Sequence, residues 1–416
     1  MARKLTDFSA VSSAFRHRDY ALYAAGNAVS LIGLWVQRVA AGYLAWELTK
    51  SGFWLGAVAF ADLFPVVIFG PFAGVLADRH NPQRIILTCQ VLAMAQAIAL
   101  FGLTASGLMT IDTLFGLTLF LGVVISFHQP ARMSFIPRLV PRQDLGAAVA
   151  IGSVIFNGAR FVGPAVAGGI ITAFGVAPAF LFDAASYLVM ITALLAIRVA
   201  PPVRTGKVRQ GLLKEVREGL AYAAQSGAIG PLMLILIAIC VLARPVFELL
   251  PGFADAVFGR GPAGLAMLTS AVGLGAISGG VWLAQRGQIQ GLTRIAVFSG
   301  GTAGAAVVVF AATDWFPLAL AAMAVAGFSM VVCGVGTQTL LQTSVDEAMR
   351  GRVLALWGVV FRGGPAIGAL IMGALSGPFG LAPPLMVGGV LCIGWSALML
   401  RHSRTLARRL ETVQPV

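Results

Sequence analysis

The chain contains twelve apolar runs, each long enough to cross a lipid bilayer as a helix. A spanning helix needs about 20 predominantly apolar residues. Only 11% of the 416 residues are charged and 58% are hydrophobic, whereas soluble proteins carry roughly 25% charged residues. The pattern predicts an all-α integral membrane protein with twelve transmembrane helices. The runs cover roughly 21–46, 54–76, 84–104, 111–131, 147–172, 178–197, 229–250, 262–284, 292–312, 316–338, 352–374 and 378–400.

Most of the 29 Lys and Arg residues fall in alternate connections between these runs, on the side of the N-terminus. The connections on the opposite side keep only Lys50 and Arg260. Because loops rich in Lys and Arg stay in the cytoplasm, we expect both termini and the 198–228 connection to be cytoplasmic, in a bacterial inner membrane. The net charge of +13 then reflects membrane topology and not a nucleic-acid partner.

The second half of the chain repeats features of the first. ARFVGPAVAGG (159–169) resembles FRGGPAIGAL (361–370), since each has an arginine shortly before Gly-Pro-Ala. Between the halves, LLKEVREGLAYAAQ has an apolar stripe that suits an amphipathic helix on the membrane surface. We predict an N-terminal six-helix bundle (1–198), a cytoplasmic linker with an amphipathic helix (199–228), and a C-terminal six-helix bundle with a basic tail (229–416). Two similar halves suit an alternating-access transporter.

Three segments together resemble the major facilitator superfamily of transporters. They are SLIGLWVQRVAAGYLAWELTKSG in the first hairpin, FPVVIFGPFAGVLADR on the second helix and HQPARMSFIPRLVPRQDL after the fourth. The resemblance covers essentially the whole chain and is closest to the subgroup of the enterobactin exporter and macrolide-efflux proteins. It implies the major facilitator fold, with two pseudo-symmetric six-helix bundles, in a transporter of small molecules.

The stretch GVLADRHNPQR (74–84) resembles the family's signature between the second and third helices, usually G-x-L-A-D-R-x-G-R-R. Asn81 stands where glycine is usual, and Gln83 stands where a basic residue is common. In the family this turn latches the cytoplasmic gate. The alternative is a solvated, positively charged loop. Gly74, Leu76, Asp78, Arg79 and Arg84 match the signature. Of these, the candidate gating residues are Gly74, Asp78, Arg79 and Arg84.

GPAVAGG resembles the G-P-x-x-G-G motif of the family's antiporters, with one extra residue before the paired glycines. Pro164 removes a backbone donor and bends the helix. Gly163, Gly168 and Gly169 would let the bent face approach a neighbouring helix. The alternative is ordinary small-residue packing, and the exporter interpretation depends mainly on this resemblance.

Two ionisable side chains fall at membrane depth, where a charge is costly and is a functional candidate. Arg38 lies eight residues before Trp46, and Asp62 eight residues after Trp54. If the tryptophans mark the outer interface, both charges lie about 12 Å inside it. We predict that Asp62 accepts a proton and that a nearby Arg38 tunes its proton affinity. The alternatives are a static salt bridge and simple lumen polarity.

Arg160 and Arg362 occupy corresponding places in the two repeated segments. By resemblance, their helices flank the central cavity, where two arginines would favour an anionic or acceptor-rich substrate. Pairing with acids or helix carbonyls at the seam is the alternative. Further polar residues in the spans are weaker cavity candidates, since each also suits helix–helix contact. These are Asn27, Gln37, Asn157, Asp183, Tyr187 and Gln338.

The sequence has no Walker A motif, nucleophile elbow or zinc motif, so we expect neither ATP-driven transport nor an enzyme, and no cofactor or metal. We predict a proton-coupled secondary exporter, an antiporter, of small amphipathic molecules such as drugs, siderophores or metabolites. It would act as a monomer and draw on the proton gradient. The alternatives are an importer or facilitator of an anionic small molecule or siderophore, and a non-transporting membrane scaffold or receptor.

Overall fold

The computed structural model describes residues 13–198 and 212–411. Within those ranges, twelve helical segments are long and apolar enough to cross a membrane, which confirms the predicted all-α class and the number of spans. The α-helices are α1 Arg18–Thr49, α2 Gly52–Leu63, α3 Pro65–Arg79, α4 Pro82–Ala105, α5 Ile111–Phe135, α6 Leu145–Phe174, α7 Ala177–Ala196, α8 Leu212–Gln225, α9 Ile229–Ala238, α10 Val246–Gly252, α11 Gly261–Arg286, α12 Leu292–Ala312, α13 Phe316–Ser344, α14 Glu347–Phe379 and α15 Ala382–Leu410.

Proline, asparagine and glycine set several helix ends. Pro65 begins α3, and the second span is interrupted there because proline has no backbone donor. Asn81 caps α4, since its side chain accepts a hydrogen bond from the Gln83 N–H at 3.0 Å. Gly175 ends α6 with a φ of 85°, a conformation that costs glycine little because it lacks a Cβ.

The described residues form two compact units, and their boundary falls inside the first two spans. One unit comprises the described residues of Met1–Ala41 and Ile68–Lys207, and the other those of Gly42–Val67 and Val208–Val416. The end of α1 and all of α2 therefore group with the second half of the chain. The bundles drawn from the sequence repeat, 1–198 and 229–416, stay a prediction, and part of their linker, 199–211, lies outside the described residues.

The first unit has a buried apolar cluster and polar contacts between its helices. Tyr20 donates its hydroxyl to the Ala148 carbonyl at 2.8 Å. Gln37 Nε2 on α1 donates to Gln96 Oε1 on α4 at 3.2 Å. Hydrogen bonds of this kind join helices in lipid, where apolar burial gives little drive for association. The fully buried members of the cluster include Ile86, Phe135, Ala148 and Met190.

In the second unit, α2 and α14 cross with almost no side chain between them. A Cβ on Gly56 would collide with the Ala369 carbonyl oxygen, and a Cβ on Gly373 would lie 2.5 Å from the Gly52 carbonyl oxygen. Each helix thus presents two small residues four positions apart, the spacing that lets membrane helices approach closely. The contact leaves no room for a larger residue at either glycine.

Helix α8 is attached to the start of α14 by two polar contacts. Tyr222 donates its hydroxyl to Asp346 Oδ2 at 2.9 Å, and Arg352 Nε lies 3.1 Å from Glu218 Oε2. Burial and the bond to Asp346 raise the pKa of Tyr222. The hydroxyl therefore stays protonated and keeps donating at neutral pH.

We expect Gly373→Ala to lower the melting temperature of the purified protein, because overpacking a tight contact costs about 1–3 kcal/mol. Gly377→Ala is the matched control, since it lies one turn further along α14 with open space around it. Alanine there should leave the melting temperature unchanged or raise it, as alanine favours helix over glycine by up to about 1 kcal/mol. Equal shifts in thermal unfolding for the two variants would contradict the proposed crossing.

Candidate functional site

Trp35 on α1 brings two arginines together in the first unit. The Arg38 guanidinium carbon lies 5.2 Å from the indole centroid, and that of Arg160 lies 5.7 Å from it. Arg38 comes from the next turn of α1, and Arg160 from α6. Cation–π contacts within about 6 Å contribute roughly 0.5–2 kcal/mol each. The ring therefore helps to hold two cations at membrane depth, both among the residues selected from the sequence.

Gly163 allows α6 to approach α1 at this place. A Cβ on Gly163 would collide with the Trp35 Cβ. Pro164 and Gly168 are buried, whereas Gly169 has open space around it. Within the antiporter-like motif, Gly163 therefore sets a contact between helices, whereas the position of Gly169 has space for a side chain.

Asp183 on α7 faces the same part of α1 and is 0% exposed. Its Oδ1 accepts a hydrogen bond from Ser186 Oγ at 3.2 Å, and its Oδ2 has no hydrogen-bond partner within 13–198 and 212–411. Gly33 makes room for it, since a Cβ there would lie 2.5 Å from Oδ1. Arg38 is the cation that acts on it electrostatically. Because ionising a buried carboxyl group is costly unless an opposite charge is near, Asp183 is a candidate proton-binding group of the first unit.

The two units separate the other predicted charges. Asp62 is half-buried at the end of α2 in the second unit, whereas Arg38 belongs to the first. Arg362 lies exposed on α14. The coupling of Asp62 with Arg38 and the cavity role of Arg362 stay predictions.

The weaker cavity candidates are mostly engaged within the protein. Gln37 donates to Gln96, as described above, and Asn157 Nδ2 donates to a backbone carbonyl of its own helix at 2.8 Å. Asn27 and Tyr187 are buried, and Gln338 is half-buried. Their contact with a substrate stays a prediction.

The signature turn lies where α3 passes into α4. Gly74 and Asp78 lie in the second half of α3. Arg79 and Arg84, on either side of the turn, are exposed. Both guanidinium groups are therefore accessible at this edge of the first unit.

The two residues that depart from the family signature have separate roles at this turn, and one of them, Gln83, fastens it to the end of α7. Asn81 caps α4, and Gln83 Nε2 donates to the Leu194 and Ile197 carbonyls at 2.8 and 2.9 Å. The last carbonyls of a helix lack partners within it, so Gln83 gives the Ile197 carbonyl a partner and adds a second donor to the Leu194 carbonyl, which also accepts from the Ile197 N–H at 3.3 Å. Sequence reasoning missed this clamp, because the pattern around Gln83 does not reveal a partner more than 100 residues away.

The span Ile229–Val257 carries two charged residues at π-helical turns. Arg244 directly follows the turn Ile239–Ala243, and Asp255 lies inside the turn Phe253–Val257. Such turns often occur at functional sites, because one extra residue changes the direction of the side chains that follow. Arg244 Nη1 donates to the Phe361 carbonyl at 2.9 Å, and its guanidinium carbon lies 4.7 Å from that ring's centroid.

Asp255 joins the end of α1 to this span within the second unit. Its Oδ2 accepts hydrogen bonds from Trp46 Nε1 at 2.8 Å and from Lys50 Nζ at 2.7 Å. Lys50 has a φ of 48°, which is uncommon for a residue other than glycine. We call Trp46, Lys50 and Asp255 the hairpin latch. The sequence offered one signal for it, since Lys50 is one of only two cations predicted on its side of the membrane.

The twelve-span helical fold is similar to those of solved transporter structures. The solved structure of a peptide transporter POT in complex with sulfate matches with a TM-score of 0.75 at 13% identity, covering 94% of this chain and 95% of that one. A bacterial homologue of the human lysosomal transporter Spinster matches with a TM-score of 0.71 at 13% identity, covering 97% and 99%. These likenesses confirm the predicted fold.

The chain belongs to the MFS_3 family of transmembrane secretion effectors, whose model matches residues 9–411. Macrolide efflux protein A of Streptococcus pyogenes is 23% identical over 391 residues, which are 92% of this chain and 96% of that protein. Enterobactin exporter EntS of Escherichia coli O1:K1 / APEC is 27% identical over 333 residues, which are 79% and 77%. The predicted subgroup is confirmed, and the protein is a multi-pass membrane transporter of small molecules, not an enzyme.

We expect the side chain at position 83 to set stability through its ability to donate. Gln83→Glu should lower the melting temperature, because a carboxylate cannot donate to either carbonyl and leaving the Ile197 carbonyl unsatisfied costs about 1–3 kcal/mol. Gln83→Lys should keep most of the stability, since an ammonium group donates and is favoured at a helix C-terminus. Thermal unfolding in detergent checks both, and equal losses would contradict the clamp.

Gly163→Ala should weaken both stability and transport, because α6 must move away from Trp35. Gly169→Ala is the control from the same motif and should change neither. The measurements are melting temperature and substrate flux in proteoliposomes. A damaging Gly169→Ala beside a neutral Gly163→Ala would overturn this division of the motif.

Proposed function

We propose that the protein is a proton-coupled exporter of small amphipathic molecules, such as drugs, siderophores or metabolites. Its setting would be a bacterial inner membrane, with both termini in the cytoplasm and the proton gradient as the only energy source. The efflux and export activities named for the two relatives support the direction of transport. The observation that supports proton coupling is that Asp183 is fully buried in a membrane-spanning helix, where Arg38 acts on it electrostatically.

Coupling would work through the position of Arg38. When this guanidinium approaches Asp183, it favours the ionised carboxylate and releases the proton; when it withdraws, the carboxyl group takes a proton up. Asp62 is the second candidate carrier, as its sequence position suggests. Trp35 supports this role, because it holds Arg38 through a cation–π contact that costs little to break.

The hairpin latch would act as the gate on the outer side. Lys50 and Asp255 side chains are 58% and 33% exposed, and exposed ion pairs contribute only about 0–1 kcal/mol. The bond from Trp46 to the same carboxylate adds roughly 1.5–3 kcal/mol. The latch is therefore strong enough to favour closure and weak enough to open in each cycle. The exposed Arg79 and Arg84 would take the corresponding part on the cytoplasmic side.

The substrate would carry an aromatic or apolar body and an anionic or acceptor-rich group. Arg160 beside Trp35 supports this class of substrate. Arg362, its counterpart in the repeated segment 361–370, is a second candidate for binding the anionic group. One chain would suffice, since each proposed carrier and gate lies within it.

The test is substrate-driven proton flux, measured with the protein in inverted vesicles or proteoliposomes under an imposed gradient. We expect Asp183→Asn to abolish gradient-driven accumulation while substrate binding persists, because the amide cannot exchange a proton. Asp62→Asn should do the same if Asp62 is also a carrier. Asp112→Asn, at the exposed start of α5, is the matched control and should transport normally.

Gradient-driven accumulation that survives Asp183→Asn and Asp62→Asn would end the proposed coupling. Accumulation that occurs only in vesicles of the native orientation would indicate uptake of the substrate instead of export.

A further inference from the structure

A groove on the second unit lies apart from all the residues discussed so far. Helix α13 packs against both α11 and α12 and forms the floor of the groove between them. The groove encloses about 890 Å³ and is lined by all three helices. Its volume falls in the range of sites that hold whole organic ligands, roughly 300–1,000 Å³.

The walls of the groove are apolar and exposed. Leu274 on α11 and Phe298 on α12 are 57% and 63% exposed. Trp282 and Phe328 form one wall, with ring centroids 5.8 Å apart. Exposed apolar side chains on a membrane-spanning helix are compatible with a hydrocarbon ligand.

The hydroxyl groups along the groove are either bonded within their own helices or buried. Ser278 donates to the Gly275 carbonyl at 2.9 Å, and Thr302 donates to the Phe298 carbonyl at 3.0 Å. Ser299 and Ser329 are both buried. A polar solute would therefore lose its bonds to water in the groove and gain few in return.

One cation stands at the end of the groove. Arg294 is in the first turn of α12, is exposed, and makes no ion pair or hydrogen bond with another residue in the described part of the chain. The neighbouring acid is already occupied, since Glu411 accepts hydrogen bonds from the Gly291 and Thr293 N–H groups at 2.7 and 2.8 Å. Arg286 is also engaged, because it donates to the Gln290 carbonyl.

The depth of the groove matches one leaflet of a bilayer. From Arg294 to Thr302 is eight residues of helix, about 12 Å at 1.5 Å per residue. Half of a hydrocarbon core is roughly 15 Å thick. Arg294 therefore lies at headgroup level when the rest of the groove lies among acyl chains.

We propose that this groove retains an anionic phospholipid of the leaflet on the Arg294 side, with its phosphate at Arg294 and one acyl chain along Trp282 and Phe328. A single cation at one end of an otherwise apolar groove is complementary to a ligand with one anionic head and an apolar tail. The proposal concerns lipid binding and does not depend on the transported substrate or on proton coupling.

The experiment measures binding of brominated phosphatidylglycerol and brominated phosphatidylcholine to the purified full-length protein, through quenching of tryptophan fluorescence. Comparison with Trp282→Phe isolates the signal from the groove. We expect the phosphatidylglycerol to be preferred, and Arg294→Gln to weaken its binding by about fivefold, the effect of one basic residue near anionic lipid. Arg401→Gln, which removes an exposed arginine from α15, is the matched control and should bind normally.

A second variant tests the apolar part of the groove while keeping the cation. Ser278 is exposed, so Ser278→Phe should fill the groove, preserve the melting temperature and remove the quenching of Trp282. Equal binding of the two lipids, equal effects of Arg294→Gln and Arg401→Gln, or quenching unchanged in Trp282→Phe would each overturn the proposal.

Discussion

A single carboxylate oxygen on Asp255 determines how the first hairpin is held. It accepts from the indole of Trp46 and the ammonium of Lys50, and so joins the end of α1 to the span 229–257. Close by in the sequence, Gly52 and Gly56 let α2 pack directly against α14. The hydrogen bonds fix the end of α1 against the span 229–257, and the glycines let α2 and α14 approach closely. Together they account for the grouping of residues 42–67 with the second half of the chain.

The first unit has a different constraint, because charged side chains are costly to bury in membrane-spanning helices. Arg38 and Arg160 both contact the Trp35 ring, and Asp183 lies buried across from Gly33. Gly163 is what allows the second arginine to reach the ring. Gly33 likewise makes room for the Asp183 carboxyl group, since a Cβ there would lie 2.5 Å from Oδ1.

The fold was predictable from sequence because lipid imposes a simple rule of length and hydropathy, and all twelve spans follow from it. The signature turn, the glycine-rich motif and the arginines at membrane depth were also recognisable, since each is a local pattern. Gln83 and Asp255 were missed because their roles depend on partners more than 100 residues away. The π-helical turns beside Arg244 and Asp255 were also missed, because hydrophobic periodicity does not report a single extra residue within a helix.

We propose that the hairpin latch opens in every transport cycle. The direct measurement is transport by Lys50→Cys/Asp255→Cys before and after treatment with a short bis-methanethiosulfonate cross-linker, which joins the two cysteines through reducible disulfides. The four native cysteines are buried, so the introduced pair is the accessible one. We predict that cross-linking stops transport, that reduction of the link restores it, and that each single variant is unaffected by the reagent. Full transport by the cross-linked protein would contradict the account.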